Sequence, residues 1–239
     1  MLQTRPRRPL SAIRAFLMDM DGTIYLGTRL LPGAKGFFRL LARRGIPHLF
    51  FTNNSSSDRT LYRDKLRGMG LDVAADQIIT SGEATALYLA TRTPYRRLYV
   101  LGTPSLEREF RDAGFTLADD RVDAVVLGFD KTLTYAKLER AVHLLRAATG
   151  RKPVAIGKPN RTMVQMALRK LGPGYRPANV AIVGDRLYTD VRMGRRAGLT
   201  AILVLSGETR REELATTRDV PDYVFASIRE LGAELKRET

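Results

Sequence analysis

Residues 13–23, Ile-Arg-Ala-Phe-Leu-Met-Asp-Met-Asp-Gly-Thr, decide the fold. Ile13 to Asp19 is a short apolar run that ends in an acid, the pattern of a buried strand. Asp19 and Asp21 follow one another two residues apart, and both face one pocket if the chain turns at once. Gly22 permits that turn. Packed carboxylates repel, and a hard cation such as Mg²⁺ relieves the repulsion with oxygen ligands. Taken alone, Asp-x-Asp-Gly is equally an Asx turn after a strand or a fragment of a calcium loop. The other ligands of a calcium loop are missing here, and the apolar strand before the pair and Thr23 after it make the stretch more specific.

Outward from this strand, apolar runs and amphipathic stretches alternate. A helical stripe over Ala34–Arg44, with Phe37, Phe38, Leu40 and Leu41, stops at Gly45. His48–Thr52 reads as a second strand and Ser57–Met69 as a helix stopped by Gly70. Ser81 is the expected N-cap of a helix over Glu83–Ala90. Strand Leu98–Leu101, helix Pro104–Ala113, strand Ala124–Leu127 and helix Tyr135–Ala148 follow. The remainder reads as strand Val154–Ile156, helix Thr162–Leu171, strand Val180–Val183, helix Thr189–Ala197, strands Ala201–Leu205 and Tyr223–Phe225, and helix Ser227–Leu235. Uniformly apolar strands alternating with helices predict an α/β doubly wound fold, a parallel sheet covered on both faces. In such folds chemistry collects beyond the carboxyl ends of the strands.

Four strand ends carry candidates. The first is Asp19 with Asp21. The second is Thr52-Asn53-Asn54-Ser55-Ser56, hydroxyl and amide donors at a strand-to-helix junction whose N–H groups suit an anion, although an ordinary polar N-cap looks the same. The third is Gly157-Lys158-Pro159, where Lys158 can neutralise a phosphoryl group or crowded carboxylates, although Gly-Lys-Pro is usually a surface turn. The fourth is Gly184-Asp185, with Asp190 five residues on. Asp185 can complete a metal site and Asp190 can hold a metal-bound water or Lys158, or simply sit as an acid at a helix start.

Each signal is weak alone. In this order, at successive strand ends, the chain resembles the haloacid dehalogenase superfamily of phosphotransferases, through Asp19-Met20-Asp21-Gly22-Thr23, Thr52-Asn53, Lys158-Pro159 and Gly184-Asp185 with Asp190. More narrowly it resembles the branch with a C2-type cap, the NagD-like and 4-nitrophenylphosphatase-like enzymes (subfamily IIA), through Asp19–Gly27, Phe51–Ser56, Ile79–Leu89, Leu127–Leu138 and Gly184–Val191. The resemblance runs from Ile13 to about Phe225. It implies a Rossmann-like core and a Mg²⁺-dependent phosphatase. In that chemistry Asp19 is the nucleophile that forms an aspartyl-phosphate, and Asp21 is the general acid and then the general base. Thr52 and Asn53 hold the phosphoryl oxygens, and Lys158 neutralises their charge. Mg²⁺ is held by the Asp19 carboxylate, the Asp21 backbone carbonyl, Asp185 and the phosphate, and Asp190 orders the metal's water shell. The substrate is a small phosphorylated metabolite: a sugar phosphate, a phosphoglycolate-like acid, a nucleotide monophosphate or an aryl phosphate.

The chain departs from that pattern in the cap. The interval between Ser81 and Lys158 is short, and Ala141–Pro153 joins the end of one expected cap helix to the end of the next, without a strand, a loop and most of a helix. The domain reading is a mobile basic arm over 1–12, a core of 13–80 and 154–239, and a smaller, truncated α/β cap over 81–153. A shortened cap leaves the pocket more open, so broad activity on small or flexible phosphomonoesters is expected. Caps of this type take part in dimer contacts in relatives, so a homodimer stays open, and so does a phosphomutase acceptor.

Composition narrows the alternatives. The 239 residues are 44% apolar, which excludes a disordered chain, and contain no cysteine, which excludes disulfides and Cys-based zinc sites. Only His48 and His143 are present, and they read as a strand-edge and a cap-surface residue. No apolar run approaches the ~20 residues of a membrane span. The first fourteen residues are basic but lack an apolar segment, so a cytoplasmic protein is expected. The net charge of +15 comes from 32 arginines and eight lysines scattered over every segment, which reads more readily as solvated faces than as a nucleic-acid footprint. Two rivals remain: a receiver-like protein phosphorylated on Asp19 without turnover, and a nucleic-acid-binding protein on a phosphatase-derived core. Arg186 reads as a substrate contact or a loop brace, Tyr25 and Leu26 as flap packing, and Met163 and Met166 as helix core.

Overall fold

A computed structural model describes residues 8–146 and 154–238. Its centre is a parallel six-stranded sheet of β1 (Ala15–Asp19), β4 (His48–Thr52), β5 (Ile78–Thr80), β9 (Val180–Gly184), β10 (Thr200–Val204) and β11 (Tyr223–Phe225), in the order β11-β10-β9-β1-β4-β5. β1 lies between β4 and β9, with Asp19 opposite Phe51 and Met18 opposite Val183. The sheet is therefore doubly wound, with the order reversing beside β1, and the crevice opens there.

Alternation along the strands sorts the core into two layers. Phe16, Met18, Phe50, Ala181, Val183 and Ile202 pack against α1 (Ala34–Arg43), α2 (Arg59–Gly68) and α8 (Ile228–Arg237). Ala15, Leu17, Phe51, Ile79, Val180 and Ile182 pack against α6 (Arg161–Leu171) and α7 (Arg192–Ala197). Met163 and Met166 belong to this second layer, as helix core. The sites of chemistry are thus held between two dry layers that share one sheet.

The cap is a separate parallel sheet, β7 (Thr116–Leu117), β6 (Arg97–Leu101) and β8 (Ala124–Leu127), in the order β7-β6-β8. It packs with α3 (Ser81–Arg92), α4 (Pro104–Asp112) and α5 (Tyr135–Arg146). α3 serves both bodies: Ala84 is buried in the core layer while Ala86 and Leu89 join Leu98, Leu106 and Phe110 in the cap. Polar contacts join cap to core. Thr103 Oγ1 donates to Ser56 O (3.0 Å), Ser105 Oγ donates to Asp58 Oδ2 (2.7 Å), Phe129 N donates to Ser55 Oγ (2.8 Å) and Thr80 Oγ1 donates to Glu109 Oε1 (2.7 Å).

Several expectations change. Residues 154–156 form no strand; among the described residues they have no ladder partner and lead directly into the Lys158 turn. Thr80, not Ser81, caps α3, because its hydroxyl already accepts from Glu83 N and Ser81 enters the first turn. The helix expected from Thr189 begins as a π-turn over Leu187–Val191 before α7. The basic arm ends earlier than residue 12: Leu10 is buried, Arg8 donates to Gly198 O (2.9 Å), and Tyr223 donates to Arg8 O (2.6 Å). β5 and a small hairpin of β2 (Tyr25–Leu26) and β3 (Arg29–Leu30) were not expected from the sequence. In that flap Tyr25 is buried but Leu26 is exposed. Ala147 and Ala148 of the expected cap helix, and the join through Pro153, lie outside the described residues. No helix among the described residues is long and apolar enough to cross a membrane.

Candidate active site

The crevice is built at the carboxyl ends of β1, β4 and β9. Asp19 is the last residue of β1, and the chain turns immediately after it. Gly22 takes φ 81°, where a side chain would be strained, and its N–H donates to Tyr25 O (2.8 Å). The tight loop leaves Asp21 exposed at the mouth, bridged through its backbone to Tyr25.

Lys158 is the buried hinge of the site. Its ammonium bonds both Asp19 Oδ1 and Asp190 Oδ1, the latter at 2.7 Å. Its backbone is gripped by Asn53: Lys158 N donates to Asn53 Oδ1 (2.6 Å) and Asn53 Nδ2 donates to Lys158 O (2.9 Å). Through these two bonds Asn53 fixes the position of the Lys158 backbone. Thr52 is buried at the end of β4, and its Oγ1 accepts from Asn54 N (3.0 Å).

Asp185 ends β9's approach to the crevice and is almost fully buried. Its Oδ2 accepts from Glu208 N (2.7 Å), while its Oδ1 is buried without any hydrogen-bond partner. The loop after β10 makes this possible. A Cβ at Gly207 would overlap the Asp185 carboxylate, and Ser206 Oγ donates to Gly22 O (2.7 Å), tying that loop to the turn after Asp19. Arg186 pairs with Glu208 (2.7 Å), which braces the same loop. The Ser206-Gly207-Glu208 stretch escaped the sequence reading. The sequence shows there only two small residues, Ser206 and Gly207, shortly after an apolar strand.

Electrostatics follow from this geometry. Oxygens of Asp19, Asp185 and Asp190 lie within 4.8 Å of one another. Burial pushes Asp19 and Asp185 above the usual carboxylate range, and pushes Asp190 up to about 6 against the pull of Lys158. Burial also opposes the charge on Lys158, but its two carboxylate partners override that and hold it charged, above the ordinary lysine range. One ammonium among three ionised carboxylates leaves two negative charges unbalanced, which a divalent cation would match. The orphaned Asp185 Oδ1 and an all-oxygen donor set fit a hard cation. The residues present therefore fit a divalent metal, with Asp19 and Asp185 as its carboxylate ligands. Asp190 is already committed to Lys158 and to Thr189 Oγ1 (3.1 Å).

Of the two histidines, His48 packs at the start of β4 against Phe38 and Phe50, and burial pushes it down to about 4. It is a packed, neutral residue away from the crevice.

Known proteins resemble this chain along most of its length. A sequence model of the haloacid dehalogenase-like hydrolases matches residues 16–116, and a second, HAD-hydrolase-like model matches residues 155–231. The acid sugar phosphatase of Staphylococcus aureus (strain USA300) is 33% identical, with 94% of this chain and 98% of that protein covered. The alignment spans 257 residues, more than the 239 of this chain, so that relative holds stretches this chain lacks. The structure of 4-nitrophenylphosphatase from Thermotoga maritima is 41% identical, with a TM-score of 0.87 over 94% of this chain and 98% of that one. NagD from E. coli K-12 is 27% identical, with a TM-score of 0.83 over 91% and 98% of the two chains.

Proposed function

The chain belongs to the haloacid dehalogenase-like hydrolases and is a phosphoric monoester hydrolase of their NagD and 4-nitrophenylphosphatase branch; we propose that it is a Mg²⁺-dependent phosphatase of small phosphomonoesters working through an aspartyl-phosphate on Asp19. The observation that carries the reading is the pairing of Asp19 with the buried Lys158 beside the unsatisfied oxygen of Asp185.

In the first step a carboxylate oxygen of Asp19 attacks phosphorus in line, a P–O bond forms, and the bond to the leaving oxygen breaks. Asp21, exposed at the mouth, gives its proton to that oxygen. In the second step Asp21 takes a proton from water as the water attacks the aspartyl-phosphate, and Asp19 and inorganic phosphate are released. The Lys158 ammonium and the Thr52 hydroxyl face the charge that develops on the phosphoryl oxygens. Asn53 fixes the Lys158 backbone, and Asp190 holds its ammonium in place. Mg²⁺, held by Asp19, Asp185 and the Asp21 carbonyl, would offset the charge of the phosphoryl group and orient it for attack. The acid sugar phosphatase and 4-nitrophenylphosphatase named among the relatives support sugar and aryl phosphates as the first substrates to try.

The test is hydrolysis of 4-nitrophenyl phosphate with Mg²⁺ and with EDTA, by the native protein and by Asp19→Asn. Metal-dependent turnover in the native protein alone is expected. EDTA-insensitive turnover, or an Asp19→Asn variant as fast as the native protein, would overturn the mechanism.

A further inference from the structure

The loop after β10 grips Asp185 at both its side chain and its main chain. Glu208 N donates to Asp185 Oδ2 (2.7 Å), and Thr209 N donates to Asp185 O (3.2 Å). The side chain of Glu208 then reaches back to the segment that follows Asp185. Its Oε2 lies 2.7 Å from Arg186 Nε, and its Oε1 accepts from the Tyr188 hydroxyl (2.7 Å). Both oxygens of one carboxylate are therefore spent on two residues just past Asp185, while the backbone N–H of the same residue holds the Asp185 carboxylate.

The two partners are well placed to matter. Tyr188 belongs to the π-turn over Leu187–Val191, a distortion that is frequent at functional sites. The same turn carries Asp190, whose carboxylate takes the Lys158 ammonium at 2.7 Å. Arg186 is the cation next in sequence to a buried carboxylate that has one oxygen, Oδ1, without a hydrogen-bond partner. A guanidinium that turned onto that oxygen would neutralise the charge a divalent cation needs. Pairing with Glu208 keeps Arg186 out of that competition. Gly207 lets the loop lie this close, because a Cβ there would overlap the Asp185 carboxylate.

We propose that Glu208 is a positioning residue for the metal site. Its carboxylate clasps Arg186 and Tyr188, which keeps its own N–H on Asp185 Oδ2 and leaves Asp185 Oδ1 open to the cation. The inference rests on Asp185 as a metal ligand and adds a residue that acts through it. An isolated half-exposed ion pair contributes little, and the Arg186 and Glu208 side chains are 41% and 47% exposed. The clasp matters instead through the ligand that it orients, as the hydrogen-bond partners of metal-bound carboxylates do.

Mg²⁺ added without substrate raises the melting temperature by binding the folded chain, and the concentration dependence of that rise gives Kd. Each variant is compared with itself in EDTA, so a change in its own stability cancels. Glu208→Ala should weaken Mg²⁺ binding about tenfold. Tyr188→Phe, which removes one bond of the clasp and no charge, should weaken it about threefold. Because Glu208 acts through Asp185, the double variant Asp185→Asn/Glu208→Ala should bind Mg²⁺ no more weakly than Asp185→Asn alone. A merely structural role for Glu208 would lower the melting temperature in EDTA and leave Kd where it was. Unchanged Kd in both Glu208→Ala and Tyr188→Phe, or losses that add in the double variant, would overturn the role of Glu208 and leave Asp185 a ligand. Unchanged Kd in Asp185→Asn would overturn the metal reading and the clasp with it.

Discussion

The core and the cap cover their apolar residues to different degrees. Every residue of β9 and β10 is buried, whereas in β8 none is. Along the cap, Leu127, Phe129, Leu133 and Tyr135 remain 50–82% exposed, followed by Leu138, Val142 and Leu145 along one stripe of α5. β8 is an edge strand, and the sequence reading places the missing cap segment directly after α5. The difference separates two tasks. The core holds charges in fixed places within a dry frame, and this sets the reaction. The cap brings a loop onto Ser55 from a body with one open side, and on the proposed function it is the part that tells one ester from another. Substitutions in the core crevice should therefore cost rate on every substrate, and substitutions outside it should cost selectivity or stability.

The largest test of that division is Lys158→Ala. It removes the only cation bonded to Asp19 and Asp190 among the described residues. Turnover of 4-nitrophenyl phosphate should fall about 10³-fold, and by the same factor on every other ester. A substrate-dependent loss would move Lys158 from reaction to recognition and break the comparison. Circular dichroism checks the fold, since the variant leaves buried carboxylates unpaired.

Asp185→Asn comes next. It keeps the shape of the side chain and the bond from Glu208 N but removes a charge from the donor set. The Mg²⁺ concentration for half-maximal activity should rise about 10–100-fold. An unchanged metal requirement would mean that the orphaned oxygen serves another purpose.

Asn53→Ala sharpens the division within the core. The side chain grips the Lys158 backbone at two points, so its loss should lower kcat about tenfold by loosening Lys158, with KM for 4-nitrophenyl phosphate little changed. A rise in KM without loss of kcat would restore the side chain to phosphate binding.

These three residues also mark how far the sequence was legible. Asp19 and Asp185 come together as the strand-end rule predicts, because a parallel sheet delivers its carboxyl ends to one edge, whereas Lys158 reaches that edge from a turn with no strand before it and Asp190 from the π-turn after β9. Asn53 was legible as a position, but its hold on the Lys158 backbone was not. Its partner lies 105 residues away, and no local pattern shows which way an amide points. Gly207 was missed because its reason is a close approach to Asp185 across the sheet edge, which spacing does not encode. β5 was hidden by its three-residue length, and the failed strand over 154–156 shows the converse. Three apolar residues suit a strand, but an edge must exist to receive them.

The smallest effect is expected where the two regions join. Glu109 of α4 accepts from Thr80 at the end of β5, so it ties the cap to the core. Burial, with Glu83 and Asp58 nearby, pushes it up from 4.5 to about 7, against the pull of the Thr80 bond and Arg59. A carboxyl whose folded pKa lies above its unfolded value binds its proton more tightly in the folded protein. Its contribution to stability is therefore complete below about pH 4.5 and is lost as pH rises through about 7. Glu109→Gln keeps an acceptor for Thr80 and removes the charge. It should leave thermal stability at pH 5 nearly unchanged and raise it at pH 8.5 by about 1 kcal/mol. Kinetics on 4-nitrophenyl phosphate at pH 8.5 should be unaffected, because the residue touches neither Asp19 nor Asp21. Equal melting shifts at both pH values would show that the carboxylate is solvated at the junction and that its charge does not weaken the tie between cap and core.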